Sequence, residues 1–185
     1  MVLVSVAMLG AGLFAAIVLV RLAAFAWRYH GRRVITCPEN LRPAGVSIDT
    51  RHAALSGLEF RLDLRLSDCS RWPEKSGCGQ ECLRQVEAAP ADCLVRNILL
   101  KWYEGKNCLC CGRPIGPVVS GGAKPAVFSA DKVSVEWSEI PAEQLPGVLS
   151  ASEPICFACH TASKMMREHP ELVIDRSRPT VVPSR

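Results

Sequence analysis

No charged residue and no histidine occurs before Arg21, and Ser5 is the sole polar side chain among residues 2–20. A surface helix of a water-soluble domain needs a polar face, so this composition excludes one. At about 1.5 Å per residue such a run reaches across roughly the 30 Å hydrocarbon layer of a bilayer. The marks of a removable signal are also missing: no basic residue precedes the apolar core, and bulky Phe25, Trp27 and Tyr29 crowd the place of a small-residue cleavage site. The expectation is a retained transmembrane anchor over residues 1–28. An excess of positive charge is absent elsewhere. Taking Arg21, Arg28, Arg32 and Arg33 from the 22 Lys and Arg leaves 18, against 18 Asp and Glu, so the rest of the chain is formally neutral. Neutrality gives no basic stripe for phosphates and argues against a nucleic-acid partner. Gly-rich phosphate loops, a nucleophile elbow, HExxH and a Ser/His/Asp set are all missing, which points to a non-enzymatic module. Aromatics make up only 6% of the chain, so a core outside the anchor needs staples beyond apolar packing.

What is present begins with four arginines just after the apolar run. By the positive-inside rule they place the C-terminal part in the cytoplasm, beside anionic headgroups of the lipid bilayer. Residues 29–33 read as a basic juxtamembrane hinge, with Trp27 and Tyr29 at the level of an aromatic belt. Residues 22–27 extend the span if Arg21 snorkels. Residues 34–104 read as a cysteine-containing α+β subdomain, 105–172 as a zinc-finger-like subdomain and 173–185 as a flexible tail. Short strands are expected at 34–37, 46–48 and 133–137, and helices at 50–55, 81–88, 92–103, 141–149 and 160–169. Residues 58–66 alternate Leu58, Phe60, Leu62, Leu64 and Leu66 with Glu59, Arg61, Asp63 and Arg65, the period of a half-buried strand.

Ten cysteines dominate the remaining chemistry. In a reducing compartment disulfides are disfavoured and thiolate–metal bonds replace them. Cys108-Leu109-Cys110-Cys111-Gly112 and, further on, Cys156-Phe157-Ala158-Cys159 form two CxxC pairs. A two-residue spacer turns both sulfurs towards one point, and two pairs supply the four thiolates of a tetrahedral zinc site. Gly112 suits the positive φ of a knuckle turn. Cys159 is expected at the start of the last helix, where amides favour thiolates. Cys110 is a spare within the knuckle.

With these motifs in place, residues 107–171 resemble a treble-clef or zinc-ribbon-like zinc finger. That family joins a CxxCG knuckle, a hairpin and a second CxxC at a helix N-terminus. The resemblance implies that Cys108, Cys111, Cys156 and Cys159 hold zinc in a metal-stabilised scaffold, and it implies no particular activity. The fold class expected is thus a single N-terminal transmembrane helix followed by a small α+β cysteine-rich metal-binding domain. Its expected role is structural, a module that meets a protein partner.

Two other readings remain open. Cys156, Cys159 and His160 also spell the CxxCH of a covalent c-type haem, with Met165, Met166, His169 or His52 as a second axial ligand, and an iron–sulfur centre is an alternative use of the thiols. Either would make the chain an electron-transfer or redox-sensing protein. A thiol oxidoreductase working through Cys108 and Cys111 is the third reading. Cys37, Cys69, Cys78 and Cys82 form a candidate second metal site, of zinc or of iron–sulfur. Trp72, Trp102, Tyr103 and Trp137 are read as core residues, and His52 as solvent-facing.

Overall fold

A computed structural model describes residues 2–58, 62–75, 77–116, 125–129 and 133–172. The expected tail, 173–185, lies outside the described residues. The body divides into two compact units, Met1–Glu104 with Ile140–Ser150, and Gly105–Glu139 with Ala151–Arg185.

The first unit opens with helix α1, Val2–Tyr29. It is long and apolar enough to cross a membrane. Its C-terminal carbonyls, which a helix leaves without partners, are taken by Arg33. That guanidinium donates from Nη1 to Tyr29 O at 2.9 Å and Gly31 O at 3.0 Å, and from Nη2 to Arg28 O at 2.7 Å. Arg33 is fully buried. The residues read as a basic hinge therefore include an arginine bound into the helix end.

Strands β1, Arg32–Thr36, β2, Pro43–Ile48, and β3, Leu66–Cys69, form an antiparallel sheet in that order. Arg33 pairs with Val46 and Val46 with Cys69. Pro43 opens its strand, where its missing amide costs least. Ala44, Val46 and Ile48 alternate into a core with Tyr29, Ile35, Leu64, Leu66 and Val86. Helix α2, Thr50–Leu58, is capped by Asp49, whose Oδ1 accepts the amides of Arg51 at 3.1 Å and His52 at 3.0 Å. It packs along the C-terminal half of α1, with Gly57 directly beneath the Phe25 ring. A Cβ at Gly57 would stand 2.8 Å from that ring. Phe25 is thus seated on protein.

The strand expected over 58–66 is not observed. Leu58 ends α2, 62–65 carry no regular structure and pairing begins only at Leu66. Residues 59–61 lie outside the described residues. Buried Leu64 and Leu66 meet the same alternation in a segment with few ladder bonds: Arg65 O accepts from Asp49 N, just past β2, at 2.8 Å, and Leu66 N donates to the side-chain Gln80 Oε1 at 2.9 Å.

Helices α3, Leu83–Ala88, and α4, Val95–Tyr103, follow. Leu99 and Tyr103, one turn apart, carry the buried stripe of α4. Helix α5, Leu145–Ala151, has Pro146 in its first turn, where no helical amide is lost. Trp102 Nε1 donates to Leu149 O at 3.1 Å.

In the second unit, β4, Ala126–Phe128, lies between β5, Ser134–Glu136, and β6, Glu153–Ile155, both antiparallel to it. Helix α6, Phe157–Glu168, follows β6 after a single residue, Cys156. It begins three residues before the expected start because Cys156 is extended and serves as its N-cap.

Candidate metal centre

The site is built from a turn and a strand–helix junction. Cys108 N donates to Arg113 O at 2.8 Å and Gly112 N to Cys108 O at 2.9 Å, closing a knuckle whose ends pair through Asn107 and Pro114. Gly112 has φ +69°, a conformation that costs a residue with a Cβ. Leu109 N donates to Pro154 O at 2.9 Å, which fastens the knuckle to β6, and β6 delivers Cys156. Cys156 caps α6 and Cys159 lies in its first turn, so both sulfurs stand at the positive end of that helix.

The sulfurs of Cys108, Cys111, Cys156 and Cys159 all lie within 4.8 Å of one another. Cys111 Sγ and Cys156 Sγ are 3.8 Å apart. A tetrahedral zinc with bonds of 2.3 Å has a sulfur–sulfur edge of about 3.8 Å. The two distant sequence pairs thus meet at the separation a single cation of this class requires. Cys108 is buried, Cys156 and Cys159 are half-buried and Cys111 is exposed. Around them pack Ala126, Ile155, Ile115 and Phe128.

Electrostatics match that arrangement. Burial opposes ionisation of Cys108, but the amides of Cys156, Cys111 and Cys110 outweigh it and bring the thiol down to about 6. The Cys156 amide stands 3.3 Å from Cys108 Sγ. Amides donating to the sulfurs in this way steady a thiolate bound to a metal. Cys159 moves the opposite way: its hydrogen bond to Cys156, and then burial, hold its proton well above the ordinary thiol range. Four thiolates at this spacing repel, and only a cation between them lets all four ionise together.

The remaining sequence candidates separate by position. Cys110 is exposed beside the site, its thiol pushed up first by burial, then by the charge of Cys108, Cys111 and Cys156 and by a hydrogen bond to Cys108. His160 Nδ1 is 3.0 Å from Ser134 Oγ in a buried pair. A covalent haem needs both sulfurs turned to the macrocycle and the imidazole turned to iron. Here both sulfurs face Cys108 and Cys111, and His160 is engaged with β5, so this geometry favours four-sulfur ligation. Met165 and Met166 are exposed. His52 Nε2 is 2.8 Å from Asp63 Oδ2 on the surface, and His169 Nδ1 is 3.3 Å from Glu171 Oε1.

Cys37, Cys69, Cys78 and Cys82 come together around one cavity of about 100 Å³ in the first unit. Among the described residues, only the set of Cys108 has its ligand atoms within 4.8 Å of one another. Arg33 was not legible as a structural residue, since a basic residue next to an apolar run reads equally as a lipid-facing charge. Comparison with protein-family models, with curated proteins and with solved structures finds no match to this chain.

Proposed function

We propose that this chain is a membrane-anchored protein in which Cys108, Cys111, Cys156 and Cys159 hold a structural zinc ion. The zinc fastens a treble-clef-like unit that meets a protein partner on the cytoplasmic side. The observation that carries the reading is the convergence of four sulfurs, with the Cys111–Cys156 separation at the edge length of a ZnS4 tetrahedron. Four protein ligands leave no open coordination position, which is the mark of a structural rather than a catalytic zinc. The order of knuckle, β4–β5 pair and helix-borne second pair supports the treble-clef comparison. Leu109, Phe157, Met165 and Met166 supply exposed apolar surface on this unit for a partner.

Anchoring rests on the apolar length of α1. The candidate span runs Met8–Tyr29, and from Leu19 onwards one side of it borders α2. Arg21, Arg28, Arg32 and Arg33 form the positive flank, Arg33 bound to helix-end carbonyls and Arg32 paired with Asp68.

Zinc content of the detergent-purified chain tests the centre: Cys108→Ser and Cys156→Ser are each expected to lose one zinc per chain and the ordered state of the second unit. Retention of metal and fold by both variants rejects it. Anchoring is tested by carbonate extraction with a reporter fused at the C-terminus. The expected result is a carbonate-resistant chain whose reporter works only in the cytoplasm. A chain released without residues 1–28 would reject it.

A further inference from the structure

The loop between β1 and β2 reproduces the knuckle of the zinc candidate bond for bond. Cys37 N donates to Arg42 O at 2.9 Å, as Cys108 N does to Arg113 O at 2.8 Å. Leu41 N donates to Cys37 O at 2.8 Å, as Gly112 N does to Cys108 O at 2.9 Å. The amides two and three residues on face the sulfur in both loops: Glu39 and Asn40 for Cys37, Cys110 and Cys111 for Cys108. Even the strained position recurs. Leu41 has φ +55° where Gly112 has φ +69°. A leucine in that region is disfavoured, and strain of this kind persists where the surrounding structure holds it for a purpose.

The loops differ in the number of thiols they offer. Asn40 stands where the second knuckle has Cys111, so this loop offers one thiol. Three others complete the set around the same cavity: Cys69 at the end of β3, Cys78, and Cys82 at the N-cap of α3. Cys69 and Cys82 are buried, and Cys37 and Cys78 half-buried. Arg71 Nη1 lies 2.9 Å from Cys37 Sγ, while Arg71 and Lys75 both pair with Glu39, and Glu39 and Glu81 line the same cavity. Four thiolates around a dication or an iron–sulfur core carry net negative charge, and the direct Arg71 contact offsets part of it at Cys37. Isolated buried cysteines acting as small hydrophobes would need neither an amide-lined knuckle nor a guanidinium beside one sulfur.

We propose that Cys37, Cys69, Cys78 and Cys82 form a second thiolate-ligated metal centre, built on a one-cysteine copy of the knuckle at Cys108. Its ligand is a soft metal, either as zinc or within an iron–sulfur cluster. Among the described residues only the first centre is a close ligand group, so a single zinc at the second requires its sulfurs to close in, whereas a polynuclear core accepts a wider ring.

The test is metal and acid-labile sulfide per chain, with a visible spectrum, on the full chain purified anaerobically in detergent. The wild type is expected to hold two centres. Colour with sulfide identifies the second as iron–sulfur, and two colourless zinc equivalents identify it as zinc; either supports the proposal. Cys37→Ser should lose one centre and keep the other, Cys108→Ser should lose the complementary one, and Cys93→Ser, outside the cavity, should keep both. Alkylation of the native wild type needs no variant: Cys37 and Cys78 should be protected at least tenfold relative to chelator-stripped protein. One centre in the wild type that survives Cys37→Ser, or equal alkylation with and without metal, overturns the proposal. Failure of the first centre alone would instead leave one centre that Cys37→Ser removes.

Discussion

The two units bury thiols against very different amounts of apolar packing. In the first, Tyr29, Ile35, Val46, Ile48, Leu64, Leu66 and Val86 form a continuous core into which Cys69 and Cys82 are merged. In the second, the buried cluster at the site consists of Cys108, Ala126 and Ile155, so one of the four clustered cysteines is itself a large part of the core. Small cores seldom supply enough burial to hold a fold, and metal then provides folding free energy directly. The difference teaches that similar knuckles need not carry similar weight. Metal should be obligatory for the second unit and auxiliary for the first.

The largest expected effect breaks the comparison most sharply. Cys108→Ser or Cys156→Ser removes a ligand from a centre of a kind worth on the order of 10 kcal/mol in small zinc domains. Near-UV circular dichroism and limited proteolysis should then show the second unit unfolded, with cleavage confined to 105–139 and beyond 151. A chelator should do the same, while the first unit keeps its protection. Equal loss of both units would erase the distinction.

Next in size is a substitution in the first unit that touches no thiol. Gly57→Ala drives a methyl into the Phe25 ring, and overpacking of this kind costs about 1–3 kcal/mol. Denaturant unfolding should register it in the first unit with metal content unchanged. A smaller effect separates the two knuckles. Gly112→Val puts a β-branched residue at φ +69° and should cost about 1–2 kcal/mol, read as faster metal loss to a chelator. Leu41→Gly relieves the same strain at an exposed side chain and should stabilise the first unit by about 1 kcal/mol. Destabilisation by Leu41→Gly would show that its side chain, rather than its backbone, matters. The smallest change is Tyr103→Phe. The Tyr103 hydroxyl is buried with no hydrogen-bond partner among the described residues, so removing it should leave stability within about 1 kcal/mol of wild type or raise it.

The four sulfurs of the second unit were legible because CxxC spacing is a local constraint and the pairs are separate copies of it. The apolar run of α1, the strands around Val34 and Val46 and the stripe of α4 were legible for the same reason: each repeats over a short stretch. Residues 58–66 misled because alternation reports burial of every second side chain, whereas a strand needs a continuous ladder of backbone partners: Arg65 O has a single such bond, from Asp49 N just past β2, and Leu66 N turns to the Gln80 side chain. The return of Ile140–Ser150 to the first unit depends on contacts distant in sequence and leaves no periodic trace. The knuckle at Cys37 was hidden by two substitutions, Asn40 for a cysteine and Leu41 for a glycine. Only the hydrogen bonds and the positive φ reveal it.

Zinc-edge X-ray absorption of the Cys37→Ser chain, in which only the centre at Cys108 can hold zinc, tests the central claim most directly. Zinc bonded to four sulfurs at about 2.3 Å, lost when Cys156→Ser is added, is the result this account predicts. Nitrogen or oxygen among the zinc ligands, or a signal unchanged by Cys156→Ser, would contradict it.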